Sequence, residues 1–407
     1  MRIALFTDAY LPQVGGVSTS VSLLKEALTD RGHTVYVFTT TDPAQPDYED
    51  HVIRVPSLPF LSSKRVASHY NPLLMSRVCD LDLDVIHTHT EFGLGIFGRS
   101  AAKRWNIPYM HSYHTIYEEW LRGQFKAPRD GKLDHFFRDC VALHSRVFCN
   151  RALVIVAPSV KTEHLLRSYG VTRPIRVLPT GIDLTRFRQA KEDGEARSRL
   201  RRELGYGPEH KLLLSLGRIS QEKGIDELLD DLAPFLLQQP ELRFLIVGEG
   251  PQRGSLERQA KRLGVADKVR FYGAVPMGDV PRFYAAADLF LSASRSETQG
   301  LVYIEALATG LPVLVRRDDC LRGVVSEGEN GYFFEEQATF AARLKDLLNL
   351  DPAAYKRFSE RAAASAERFS VANFAESMEA VYKKLPELNR LRMEERAARA
   401  RAKAGPS

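Results

Sequence analysis

Strand and helix signals alternate along this chain in two separate series. In the first series, short apolar runs at Arg2–Thr7, Thr34–Phe38, Val52–Val55, Val85–Thr88, Pro108–Ser112, Leu153–Ala157 and Ile175–Leu178 read as strands. Amphipathic stretches lie between them. In Gly16–Arg31, for example, Val17, Val21, Leu24 and Leu28 recur at helical spacing. A second series begins near residue 211, with Leu212–Leu216, Phe244–Val247, Val269–Tyr272, Leu289–Leu291 and Pro312–Val315. Strands that alternate with helices predict a parallel, doubly wound sheet covered on both faces. A chain of 407 residues is too long for one ordinary core, so each series is expected to build its own domain. Two similar α/β domains would then face each other across a cleft.

Composition narrows the class. A hydrophobic content of 44% is that of a soluble globular protein. No apolar run approaches the roughly 20 residues needed to span a bilayer. The chain enters a strand at Arg2 without a signal-peptide pattern, so a cytoplasmic location is the default expectation. Cys79, Cys140, Cys149 and Cys320 are scattered without metal-ligand or C-x-x-C spacing, and they read as free thiols. The net charge of +6 leaves nucleic acid, an anionic membrane surface and a phosphate ligand all open. The stretch 183–209 is polar and charged and reads as the linker plus the approach to the second domain. Tyr117–Arg151 reads as a long helical region, and the Ala/Arg-rich end beyond Asn389 as a helix-prone, frayed tail.

The densest chemical signal is Ser294-Arg-Ser-Glu-Thr-Gln-Gly-Leu-Val-Tyr-Ile-Glu305. Seven residues, one of them Gly300, separate Glu297 from Glu305. The strand before and the helix after put Glu297 in a strand-to-helix loop and Glu305 about two turns into the helix. Gly300 and Leu301 would offer backbone N–H groups at that helix's N-terminus. In an open α/β sheet such loops line the crevice at the strands' carboxyl ends. The stretch therefore suits a phosphorylated, hydroxyl-rich ligand.

Other loops fit the same ligand. Arg218 and Lys223 follow the first strand of the second series, and two cations there can stabilise a departing diphosphate. Gly15 and Gly16 precede a helix, where bare backbone can approach a diphosphate, although a glycine pair is also an ordinary turn device. A G-x-G-x-x-G fingerprint is absent, as are a Walker A loop and a G-x-S-x-G elbow. His87, His89, His111 and His114 follow or end strands of the first series. Structural hydrogen bonding is the plainer reading of the first three, and no histidine set has metal-ligand spacing.

Taken together, the Glu-x7-Glu pair, Arg218 with Lys223, the Gly15-Gly16 loop, His114 and Pro179-Thr-Gly-Ile-Asp183 resemble the retaining GT-B glycosyltransferases of family 4. The resemblance covers nearly the whole chain. It implies a GT-B fold of two Rossmann-like domains, over 1–182 (acceptor side) and 210–365 (donor side), joined through 183–209. Residues 366–388 would form a helix returning toward the first domain, with 389–407 as a basic tail. The resemblance also implies roles. Arg218 and Lys223 would bind the donor diphosphate in place of a metal, and Glu305 would hold the ribose. Glu297 would contact the sugar, with Gly300 and Leu301 lending backbone groups. Gly15 and Gly16 would approach the diphosphate, and His114 would contact the sugar near the reacting centre. Retention would proceed by front-face attack, with the leaving phosphate assisting deprotonation of the acceptor. No permanently bound cofactor and no nucleic acid are implied; a UDP-sugar serves as co-substrate.

A finer resemblance rests on Leu5–Ser20, Thr88–Gly93, Tyr113–Glu118 and Ser294–Leu301. These look like the bacterial enzymes that glucosylate diacylglycerol from UDP-glucose at the inner membrane surface. Pro59–Val66 and Trp120–Lys126 mix aromatic and apolar residues with cations, as an interfacial segment must. The expected partners are therefore a nucleotide-sugar, a diacylglycerol-type lipid and an anionic membrane surface. Another UDP- or GDP-hexose with a different acceptor, or a non-catalytic nucleotide-sugar binder, are the competing readings.

Overall fold

A computed structural model describes residues 1–13, 15–42, 49–60, 64–67, 72–118 and 132–404. The chain divides into two compact units, Met1–Gly181 with Val371–Ser407, and Ile182–Ser370.

In the first unit the strands are β1 (Arg2–Phe6), β2 (Thr34–Thr40), β3 (Val52–Val55), β4 (Ser57–Phe60), β5 (Lys64–Ala67), β6 (Val85–Thr88), β7 (Tyr109–Ser112), β8 (Val154–Ala157) and β9 (Ile175–Val177). Among the described residues, β3-β2-β1-β6-β7-β8-β9 form one sheet, parallel throughout. β4 and β5 pair as a separate antiparallel ribbon. This ribbon is not legible in the sequence because Pro59 and the charged Lys64-Arg65 break the apolar alternation that marks a strand. The sheet is buried on both faces, as a parallel sheet requires. Ile3, Leu5, Val35, Val37, Met110 and Val154 pack on one face. Their alternating neighbours Ala4, Phe6, Phe38, Tyr109 and Ile155 pack on the other. The helix Val371–Tyr382 contributes Phe374, Met378 and Tyr382 to the first of these faces.

The second unit holds β10 (Lys211–Leu216), β11 (Leu242–Val247), β12 (Val269–Gly273), β13 (Leu289–Ser292), β14 (Val313–Arg316) and β15 (Gly331–Phe334). These run in the order β12-β11-β10-β13-β14-β15 and are all parallel. β15 has no counterpart in the expected strands. It is four residues long, opens on glycine and follows a turn-rich stretch, so its sequence signal is weak. Again one core lies on each face. Leu212, Leu214, Leu245 and Phe290 pack on one side, and Leu213, Phe244, Ile246 and Leu291 on the other. Each such fully buried side chain contributes roughly 1.5–3 kcal/mol.

Within the polar stretch 183–209, the expected linker and approach to the second domain, the chain forms helices Leu184–Glu192 and Gly194–Glu203 as part of this unit. Leu184, Phe187 and Leu200 anchor both helices in the core. Asp183 and Asp193 cap them by accepting from Thr185 N and Ala196 N. The long helical region of the first unit is seen as Lys132–Cys149. Trp120–Lys126, and residues 61–63 of the Pro59–Val66 segment, lie outside the described residues. The Ala/Arg-rich end continues as a helix over Leu385–Ala404. It is held by Asn389 Nδ2 donating to Asn106 O at 3.2 Å and by Arg392 donating to Arg151 O at 2.8 Å.

Both strand orders contain a topological switch. In the first unit the chain leaves β1 toward β2 and later returns to β1's other side as β6. In the second it does the same at β10 and β13. Loops at the carboxyl ends of such strand pairs diverge and leave a crevice.

Candidate active site

Arg218, Lys223, Glu297, Gly300, Leu301 and Glu305 all belong to the second unit. The first four follow β10 or β13, the pair that flanks its switch. After β10 the chain makes a short turn, Gln221–Lys223, and ends it at Gly224 with φ +62°. A Cβ on Gly224 would stand 2.7 Å from the carbonyl oxygen of Ala293. Only glycine lets the loop after β10 close on the loop after β13. Arg295 N donates to Glu222 O at 2.9 Å and ties the same two loops. The closure brings Lys223 Nζ to 2.6 Å from Glu297 Oε1. The carboxylate is 13% exposed, so the pair is partly shielded from solvent. Arg218 stands beside it, exposed, with Gly217, Ser292 and Val302 lining the same small pocket.

Gly300 is the N-cap of the helix Leu301–Ala308 and has φ +76°. A Cβ there would lie 2.4 Å from the Tyr303 ring. That ring cannot move aside, because it is buried and its hydroxyl shares a 2.9 Å hydrogen bond with Ser292. Gly300→Ala is therefore expected to destabilise the protein by about 2 kcal/mol or more. Denaturant unfolding checks this, and an unchanged midpoint would mean that the helix can start differently. The helix begins at Leu301, so Glu305 sits just over one turn in, not two.

Tyr284, on the helix Val280–Ala286, donates its hydroxyl to Glu305 Oε2 at 2.9 Å. Burial pushes the Glu305 carboxyl pKa up. The Tyr284 hydrogen bond and the charge of Arg186 pull the other way without cancelling it. Tyr284 and Arg186 escaped the sequence reading. Nothing in a buried aromatic on an apolar helix, or in an arginine of a charged stretch, marks a carboxylate partner.

The remaining candidates, Gly15, Gly16 and His114, lie in the first unit. Gly15 has extended backbone, and an added Cβ at Gly15 or Gly16 would meet nothing closer than 3.9 Å. Neither local strain nor packing demands glycine at these positions. Their effect is to leave the helix Gly16–Asp30 with a bare N-terminus. His114 follows β7 and stays partly exposed. Its Nε2 lies 3.0 Å from Nδ1 of the buried His89, which follows the neighbouring β6. Burial lowers the pKa of His114 to about 4.

The other histidines are tied into the fold. His87 bonds to Tyr382 OH at 2.7 Å and to Ser112 Oγ at 2.8 Å. His111 bonds to Thr88 and, at 2.9 Å, to the buried Glu91, which also takes the Tyr117 hydroxyl. Asp8, at the end of the loop entry from β1, is a further buried carboxylate missed in the sequence. It accepts from Thr90 Oγ1 at 2.8 Å and Leu94 N at 3.1 Å.

A larger cavity of about 710 Å³ opens at the opposite, amino end of β10 and β13. Its arginines Arg197 and Arg201 share Asp288, at 2.7 and 3.1 Å, and Lys211 is bound to the Leu348 carbonyl. These three charges are committed to holding the unit together.

Residues 14–186 match the model of Glycosyltransferase Family 4, and residues 196–365 match that of the glycosyl transferases group 1. The chain is a family 4 glycosyltransferase. The glycosyltransferase is 37% identical over 359 residues to the alpha-monoglucosyldiacylglycerol synthase of Streptococcus pneumoniae, covering 86% of this chain and 79% of that one. It is 31% identical over 400 residues to the synthase of the same name from Acholeplasma laidlawii, covering 96% and 98%. Among solved structures it is similar to Anabaena Alr3699/HepE in complex with UDP, with a TM-score of 0.75 and 22% identity, covering 95% of this chain and 100% of that one. That likeness confirms the GT-B fold of two parallel α/β sheets.

Proposed function

We propose that this glycosyltransferase moves glucose from UDP-glucose to the free hydroxyl of diacylglycerol with retention at the anomeric carbon. The observation that carries the donor half is the Lys223–Glu297 contact at the β10/β13 switch, with Arg218 beside it. Charge builds on the leaving diphosphate as the glycosidic C–O bond stretches. Fixed cations stabilise that charge more in the transition state than in the ground state. Arg218 can meet phosphate oxygens with two parallel N–H bonds, and Lys223 adds a point charge that Glu297 orients. Glu297 accepts from sugar hydroxyls, and Gly300 and Leu301 lend the helix N-terminus. Glu305 accepts from the ribose, while Gly15 and Gly16 allow close approach of backbone to the diphosphate. His114 contacts the sugar near the reacting carbon.

The acceptor half is supported by the likeness to the two synthases over most of the chain. No helix among the described residues is long and apolar enough to cross a membrane. Access to a lipid substrate then calls for docking at the membrane surface, on its cytoplasmic side. The test supplies purified protein with UDP-glucose and diacylglycerol in anionic liposomes. An alkali-labile monoglucosyl lipid with an α linkage is the expected product. Absence of any glycolipid across a panel of sugar nucleotides and lipid acceptors would overturn the proposal.

A further inference from the structure

The His89–His114 pair fixes more than a contact. The two rings stack with centroids 5.2 Å apart and planes 19° from parallel. They are joined by the 3.0 Å approach of His89 Nδ1 to His114 Nε2. β6 and β7 pair in parallel with Thr88 level with His111, so His89 comes level with Ser112 and His114 follows in the loop just beyond. His89 is 1% exposed, and its other nitrogen, Nε2, has no partner among the described residues. His87 packs 4.0 Å away, centroid to centroid, but both its nitrogens are taken by Tyr382 and Ser112.

A neutral imidazole carries one proton, so the pair has two possible arrangements. In one, His114 Nε2–H donates to a bare His89 Nδ1. The proton of His89 must then sit on Nε2, where it is buried with no acceptor. In the other, His89 Nδ1–H donates to a bare His114 Nε2, and the orphaned Nε2 of His89 is a lone pair. A buried N–H without an acceptor is the rarer and costlier defect. The second arrangement is therefore the stable one. It leaves His114 protonated on Nδ1, and that nitrogen bonds to no described residue. Burial keeps both rings neutral near pH 7, so the single shared proton decides the outcome.

We propose that His89 is a positioning residue whose Nδ1–H holds His114 in the Nδ1–H tautomer, so that His114 offers its ligand a hydrogen-bond donor and not a base. This rests on the reading that His114 faces the transferred sugar. A donor at that place can bind a hydroxyl oxygen. It cannot accept the acceptor's proton, and deprotonation is left to another group.

The test separates the two layers. Nitrogen-15 labelled, ligand-free protein is examined by long-range imidazole correlation NMR, with His114 assigned by its substitution to glutamine. The expected spectrum has Nδ1 as the protonated nitrogen of His114. A protonated Nε2 in the wild type overturns the proposal whatever the protein's reaction is. His89→Asn keeps a donor near the Nδ1 position, and His89→Leu removes it. His89→Leu is expected to lose the fixed tautomer and to lower kcat by roughly 10- to 100-fold, with the KM for the sugar nucleotide nearly unchanged. His89→Asn is expected to restore both. Equal losses in the two folded variants would make His89 a packing residue only. The predicted tautomer without transfer from any sugar nucleotide would leave the positioning intact and sink the function.

Discussion

Lys223→Ala is expected to lower turnover by about 10²-fold or more, the cost of deleting one preorganised donor that meets developing negative charge. The geometry sets this expectation. Lys223 Nζ is 2.6 Å from Glu297, so its position is fixed before a diphosphate arrives. An ammonium has three N–H donors, and Glu297 Oε1 takes one. Alanine removes the charge and also strands the Glu297 carboxylate, which is 13% exposed. The two effects can be told apart. Lys223→Ala/Glu297→Gln should recover the thermal stability lost in the single mutant, because no unpaired carboxylate remains. It should recover no activity, because the phosphate cation is still missing. Radiolabelled sugar transfer and thermal unfolding of the single and double mutants check both statements. A single mutant within about threefold of wild-type kcat/KM would remove Lys223 from the reaction.

How far the sequence alone led depends on what each residue type signals. Arg218, Lys223 and Glu297 are legible because charged residues cluster in two strand-to-helix loops, and Glu305 because it lies in the helix that the second loop opens. The alternation that placed those loops also gave the parallel sheets. What stayed hidden was adjacency. In sequence, His89 reads as a structural hydrogen-bonding residue and His114 as a sugar contact. That they bond to each other depends on the β6–β7 pairing, which brings the loops after the two strands together and which no local pattern announces. Tyr284 was invisible for the same reason, since its hydroxyl matters only once its helix packs beside Leu301–Ala308. Composition alone hides two helices: 183–209 reads as the linker plus the approach to the second domain, and Leu184, Phe187 and Leu200 suffice to bury one face of two short helices there. A few well-spaced apolar residues outweigh a polar average.

These hidden contacts share a theme. Each buries a polar group beside a proposed substrate contact: Tyr284 against Glu305, and His89 against His114. A stable core would not choose such groups, because their desolvation is only partly repaid by hydrogen bonds. His89 lies just past the carboxyl end of β6, and Glu305 is on the helix that follows β13, in keeping with the proposed site.

Glu305 turns that tension into a measurable trade. Oε2 holds the Tyr284 hydroxyl at 2.9 Å, and Oε1 bonds to no described residue. If Oε1 takes the ribose, Glu305→Ala should cost about 10²-fold in kcat/KM, as expected for hydrogen bonds to a charged group. Glu305→Gln should cost roughly tenfold, because the amide keeps an acceptor for Tyr284 but loses the charge. Stability should move the opposite way. Burial raises the Glu305 pKa in the folded state above its unfolded value. Such a carboxyl favours the fold when protonated, and that contribution disappears as pH rises through the folded pKa. Near neutral pH the ionised Glu305 is therefore a liability that glutamine lacks. Glu305→Gln should melt above the wild type at about pH 7.5, and the two curves should converge toward about pH 4. A variant that melts below the wild type at neutral pH would show that attraction from Arg186 outweighs burial. A variant that gains stability and loses nucleotide affinity would show that the carboxylate is kept for its ligand and not for the fold.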